Sequence, residues 1–102
     1  MVTTFPRKRV EILADAALVP RLVEASGKAG INGHTILRVE SGAGRSGPWR
    51  DDRVSGSGKV IFLTITAQDK AARFIDLLAP NLESWGMVLT MGDVEVVRPE
   101  RF

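Results

Sequence analysis

GHTILRVESGAGRSGPWRDDRVSGSGKVIFLTITA, residues 33–67, decides how the rest of the chain is read. Thr35, Leu37 and Val39 alternate with Ile36 and Arg38, which is the period of a strand with two different faces. A polar run from about Ser41 to Gly58 follows, holding Gly42, Gly44, Gly47, Gly56 and Gly58 with Trp49 as its only aromatic residue. Such a composition buries little of itself, so it predicts a long loop that stays mobile until something orders it. Lys59–Ala67 then reads as the clearest strand in the chain. Ile61, Leu63 and Ile65 oppose Val60, Phe62 and Thr64, so both faces are largely apolar, as suits a central strand.

Outward from this stretch the pattern is regular. Residues 8–14, KRVEILA, place Val10 and Ile12 on one face and Arg9, Glu11 and Leu13 on the other, a strand with one well-buried side. Asp15 is a candidate cap for a helix opening near Ala16 or Ala17, with Pro20 in its first turn and Gly30 as its stop. Leu18, Leu22, Val23, Ser26 and Ala29 form its expected inner stripe. After the central strand, QDKAARFIDLLAPNLESW reads as a second helix with Ala71, Phe74, Ile75, Leu78 and Leu82 on one side, and Pro80 ends or kinks it. Met87–Thr90 and Val94–Val97 read as strand, joined by a bulge at Gly92-Asp93. The order β-α-β-β-α-β predicts an α+β, ferredoxin-like fold: a four-stranded antiparallel sheet with two helices on one face. In a chain of 102 residues, expected to be one domain spanning 1–102, strands apolar on both sides imply that another subunit covers the open sheet face.

Composition excludes several classes of chemistry. There is no cysteine, so there is no disulfide, thiolate metal site or cysteine nucleophile. Fourteen Lys+Arg against twelve Asp+Glu is too balanced to imply nucleic acid from charge alone. The run Arg7-Lys8-Arg9 is either a short nucleic-acid arm or a solvated strand entrance. MVTTFPRKRVEILAD lacks the apolar run of a signal peptide, and no segment approaches a membrane span, so a soluble, cytoplasmic protein is expected.

The loop carries the chemistry. Glycines at Ser41–Ser46 let backbone N–H groups converge on an anion, and Arg45 adds a charge-assisted contact, although SGAGRSG equally describes a linker. In GPWRDDR, Trp49 among Arg50, Asp51, Asp52 and Arg53 has the character of a protein-interface anchor. Alternatively Trp49 folds back over a bound anion, or the charges only keep the loop soluble. His34, the only histidine, is a partly buried strand-end residue or a catalyst without a partner. Asp51-Asp52 would need further ligands to hold a divalent ion. Trp85 either packs in the core with Phe74 or stacks on a base. No nucleophile, base and orienter come together, so no enzyme, metal site or cofactor is expected.

Gly33-His34-Thr35-Ile36 opening one strand and Val39-Glu40-Ser41-Gly42-Ala43-Gly44-Arg45 opening the long loop resemble the PII signal-transduction family, and more closely its PII-like branch related to inorganic-carbon metabolism. The resemblance implies a homotrimer that binds adenine nucleotides in clefts between subunits, sometimes with bicarbonate. Its mobile T-loop, here about 41–58, docks onto a target protein such as a bicarbonate transporter or a carbon-fixation component, which would recruit the protein to the membrane. Carried over by position, Thr35 faces the nucleotide; Ser41, Gly42, Ala43, Gly44, Arg45 and Ser46 form the phosphate-cradling loop base. Trp85, Gly86 and Met87 fall at the turn before the last strand, and Arg98 and Arg101 reach toward phosphate from the C-terminal segment. Trp49, Arg50, Asp51, Asp52 and Arg53 form the partner-binding tip. The chain has no tyrosine to uridylylate, has Ser46 where a glutamine is usual, and lacks a Gly-Lys pattern in the turn. These departures imply AMP or ADP rather than ATP. Two other readings stay open: a ferredoxin-like enzyme working near His34, and an RNA-binding module, for which Phe62 is the only aromatic residue in the central strand.

Overall fold

The computed structural model describes residues 1–50 and 58–102. Strand β1 is Phe5–Asp15, helix α1 Val19–Lys28, β2 Thr35–Val39, β3 Ser41–Gly44, β4 Gly47–Arg50, β5 Lys59–Thr66, α2 Gln68–Leu78 and β6 Val88–Val96. Short 3-10 turns at Ala16–Leu18, Ala79–Asn81 and Pro99–Arg101 complete the order. Four strands form one antiparallel sheet in the order β2-β5-β1-β6, the ferredoxin-like arrangement. Strand β5 lies inside that sheet, as its two apolar faces require.

The register decides which residues share a face. Val10 lies opposite Thr64, Ile12 opposite Phe62 and Ala14 opposite Val60, and all six are buried under the helices. Leu22 and Ala29 from the α1 segment and Ala71, Phe74 and Leu78 from α2 close over them, so both helices pack on the same side. The Phe62 and Phe74 rings meet at 5.7 Å between centroids. The other face carries Leu13, Leu37, Ile61 and Val88, with Leu37 46% and Val88 58% exposed.

Both helical segments end alike. The Ile31 N–H donates to the Ser26 carbonyl and Gly30 to Gly27; Met87 donates to Leu82 and Gly86 to Glu83. This is the Schellman pattern, with Gly30 at φ 83° and Gly86 at φ 63° supplying the left-handed residue. The residue after each glycine, Ile31 or Met87, is thereby turned into the core.

Several local expectations are corrected. The polar run is not all loop, because β3 and β4 form an antiparallel hairpin that pairs Ser41 with Arg50 and Gly42 with Trp49. A two-stranded ladder satisfies backbone groups that the composition alone would leave to water. Asp15 precedes the first 3-10 turn without capping it; its carboxylate pairs with Lys59 Nζ at 2.7 Å instead. Val23 is 37% exposed: Leu22, Ser26 and Ala29 hold the buried stripe, and Val23 lies about 100° round the helix from Leu22. No bulge interrupts β6, whose pairing with β1 runs unbroken from Leu13↔Val88 to Phe5↔Val96.

Candidate functional site

The sheet has two ends, and the site residues expected from the sequence divide between them. At one end lie the start of β2, the end of β5, the first turn of α2 and the chain after β6. Here a cleft of about 320 Å³ is lined by Asn32, His34, Thr35, Thr66, Lys70 and Arg101, among others. The turn entering β2 is held by the Thr64 hydroxyl, which donates to the Gly33 carbonyl at 2.6 Å. His34 stacks on Phe62 at 4.9 Å between ring centroids, fixing the residue next to Thr35. On the far side Arg7 donates from Nη2 to the Pro99 carbonyl at 3.2 Å and from Nε to the Phe102 carbonyl at 3.3 Å. Those bonds tie the C-terminal turn down, and Arg101 reaches the cleft from it. Lys70 and Arg101 make the cleft cationic, and Thr35 adds a neutral donor and acceptor.

At the other end Val39 and Asp15 lie either side of Lys59, and Val88 opens β6 opposite Leu13, two residues before Asp15. The Asp15–Lys59 pair and the Ala16 N–H donated to the Gly58 carbonyl at 2.9 Å hold this end together. One residue beyond β2 the hairpin begins, carrying Ser41, Gly42, Ala43, Gly44, Arg45 and Ser46. At the opposite edge, Trp85, Gly86 and Met87 lead into β6. Three strand spacings of ~4.8 Å put the two edges about 14 Å apart, so one chain does not bring hairpin and turn together.

Individual placements sharpen the expected roles. Met87 is buried, so only its backbone is free to face a ligand. Trp85 packs at the edge of the core with Arg21 over its ring at 4.9 Å to the centroid, beside a groove between α1 and α2. Arg98 is paired with Glu100 at 3.5 Å. The Trp49 ring packs against Gly42: a Cβ built on Gly42 would sit 2.6 Å from the Trp49 ring. Arg50 pairs with Ser41 in the ladder, whereas Asp51, Asp52 and Arg53 lie outside the described residues. The basic run of β1 is largely engaged, Arg7 as above, Lys8 with Asp93 and Arg9 with Glu11 at 2.6 Å. Among the described residues no group of three His, Asp or Glu side chains could hold a metal ion, and no helix is long and apolar enough to cross a membrane.

Asn32, Thr66 and Lys70 were not singled out by the sequence. Periodicity assigns Lys70 only to a solvated helix face. The signal that locates it is topological, since β5 ends at Thr66 and α2 must start beside that strand end.

The family model for nitrogen regulatory protein P-II matches residues 7–101. Among solved structures, the chain superposes on CPII, a nitrogen regulatory PII-like protein from Thiomonas intermedia K12 bound to ADP, AMP and bicarbonate. The TM-score is 0.90 at 21% identity, covering 100% of this chain and 98% of that one. A PII-like signaling protein from Thermus thermophilus aligns with a TM-score of 0.81 at 25% identity, covering 97% of both chains. CPII bound to ADP, AMP and acetate aligns at 0.83 and 23% identity, covering 99% of this chain and 98% of that one. No curated protein matches the chain significantly. With 95 of its 102 residues inside the family model, and with the ferredoxin-like sheet order and two helices described above, the chain belongs to the nitrogen regulatory protein P-II family.

Proposed function

We propose that this protein is a cytoplasmic PII-like regulator that binds AMP or ADP in preference to ATP, together with bicarbonate, in clefts between the subunits of a homotrimer. The observation that carries the reading is the position of the site residues at both ends of edge strand β2. Thr35 opens the strand inside a cationic cleft, and Ser41–Ser46 follow its other end, about 13 Å away at ~3.3 Å per residue. An extended nucleotide has its base and its phosphates separated on that scale. It would lie along the edge with the base near Thr35 and the phosphates near Arg45. The open edge needs a second wall, and the turn at Trp85–Met87 of a neighbouring copy has the right placement, at the same sheet end and opposite edge. The apolar open face, with Leu13, Leu37, Ile61 and Val88, supports burial against other copies. Similarity to CPII bound to ADP, AMP and bicarbonate supports the ligand class.

In this reading nucleotide state sets the conformation of the loop from 41 to 58, which docks onto or releases a target protein such as a bicarbonate transporter. The protein regulates and does not catalyse. A ligand moves the loop only by as much as it binds one loop state better than the other. Calorimetric titration with AMP, ADP and ATP, each with and without bicarbonate, tests the ligand claim. Saturable binding of AMP or ADP, tighter than ATP, is expected; absence of heat and of competition with all three overturns it.

A further inference from the structure

The register of the sheet lines up three side chains beside the cleft. Thr35 lies opposite Leu63, and Leu63 lies opposite Glu11 on its other side. Phe62 and Thr64 are buried under the helices, so Leu63, between them, points to the open face. Glu11, between buried Val10 and Ile12, points the same way, and Thr35 shares that face with its partner Leu63. Thr35 and Glu11 thus stand two strand spacings, about 10 Å, apart with Leu63 between them. Thr35 and Leu63 line the cleft, and Glu11 is the next residue inward. An acid is unexpected there, because the face around it holds Leu13, Ile61 and Ile65, and the cleft carries Lys70 and Arg101. Arg9 holds it in place: Nε donates to Glu11 Oε1 at 2.8 Å, and Nη2 lies 2.6 Å from the same oxygen. Both contacts fall on Oε1, and Oε2 is the oxygen they leave for another donor. The Glu11 side chain is 38% exposed in the single chain.

We propose that Glu11 reads the base of the bound nucleotide. Its Oε2 accepts a hydrogen bond from the exocyclic amino group of adenine, while the ring lies on Leu63 and its other margin meets Thr35. The inference rests on the nucleotide reading above and adds to it the residue that selects the base. An ionised carboxylate only accepts, so it satisfies an amino group and repels a carbonyl oxygen in the same place. Adenine presents an amino donor where guanine presents a carbonyl oxygen. Pairing with Arg9 aims the carboxylate and offsets its charge on a face that assembly covers. The same negative charge opposes a phosphate here, so the nucleotide lies along β2 in one direction only, phosphates toward Arg45.

A cycle between protein and ligand tests this directly. Calorimetry compares ADP with purine riboside diphosphate, the analogue lacking the exocyclic amino group, in wild type and in Glu11→Met. Wild type is expected to bind the analogue about fivefold or more weakly than ADP. Glu11→Met is expected to bind ADP weaker by a similar factor and the analogue as wild type does, so the preference disappears. Light scattering checks that the variant keeps the wild-type mass. Where it does not, Glu11→Gln, of nearly the same size, takes its place, and its preference for ADP is expected to fall about threefold or more. Equal binding of the two ligands by wild type, or a preference unchanged in the assembled variant, overturns the role of Glu11 while the nucleotide reading stands. No ADP or AMP binding by wild type removes the nucleotide reading, and the base reader with it.

Discussion

At the scale of single residues, the contacts that aim Thr35 are few and separable. The Thr64 residue is buried and its hydroxyl donates to the Gly33 carbonyl, so Thr64→Val removes the bond that ties this turn to β5. A loss of about 1–2 kcal/mol is expected, read as a lower urea midpoint, together with weaker ADP binding as the turn loosens. Phe62 carries both His34 and Phe74, and Phe62→Ala should cost about 3–5 kcal/mol. An unchanged unfolding midpoint for that variant would contradict a core centred on this ring. Arg101→Ala removes a cleft cation without touching the core; the expected result is weaker ADP binding with an unaltered melting temperature. The alternation of Val10, Ile12 and Phe62 made the core legible from sequence. The cleft was less so, since Asn32, Lys70 and Arg101 are distant in the chain and meet only through the strand order.

Elements show where local chemistry speaks clearly and where it is ambiguous. Gly30 and Gly86 hold left-handed conformations at the ends of their helical segments, and Ala at either position should cost roughly 1–2 kcal/mol. Chemical denaturation measures this, and for Gly86 a shift of Met87 out of the core should accompany it. The stop at Gly30 could be read from the sequence because glycine is the residue such a terminus favours. For the second helix the sequence points to Pro80, and Gly86 reads only as part of the turn before the last strand. The hairpin could not be read this way. SGAGRSGPWR has no apolar alternation; what pairs it is a two-residue turn, Gly47 at φ 97° and an indole lying on a glycine, none of which hydropathy records. The predicted bulge in β6 failed for a related reason. Gly92 and Asp93 are poor strand formers, yet the ladder to Arg9 and Lys8, with the Lys8–Asp93 ion pair, keeps them in register.

For the whole molecule, the decisive quantity is the apolar face left uncovered by the helices. Leu37→Arg would put a charge on the proposed subunit interface while changing nothing under the helices. Light scattering should report smaller particles than for wild type, and ADP affinity should fall with them if two copies build each cleft. A variant that stays assembled with full affinity would show that the open face is not the interface. The ferredoxin-like order followed from sequence because the element types alternate cleanly. That the site residues sit at opposite edges and both ends of one sheet did not, because edge and end are properties of strand order.

The 41–50 hairpin has one more consequence, through Pro48. The non-bonded pairs of the hairpin, Ala43↔Pro48 among them, turn their N–H groups outward, and at Pro48 that outward donor does not exist. The two margins of the hairpin are therefore unequal: the β4 margin has a gap in its row of donors, whereas along β3 the row is complete. An extended peptide seeking to add itself as a third strand meets a continuous set of partners on only one side. The proline thus gives a small, nearly symmetrical ribbon a handedness of approach.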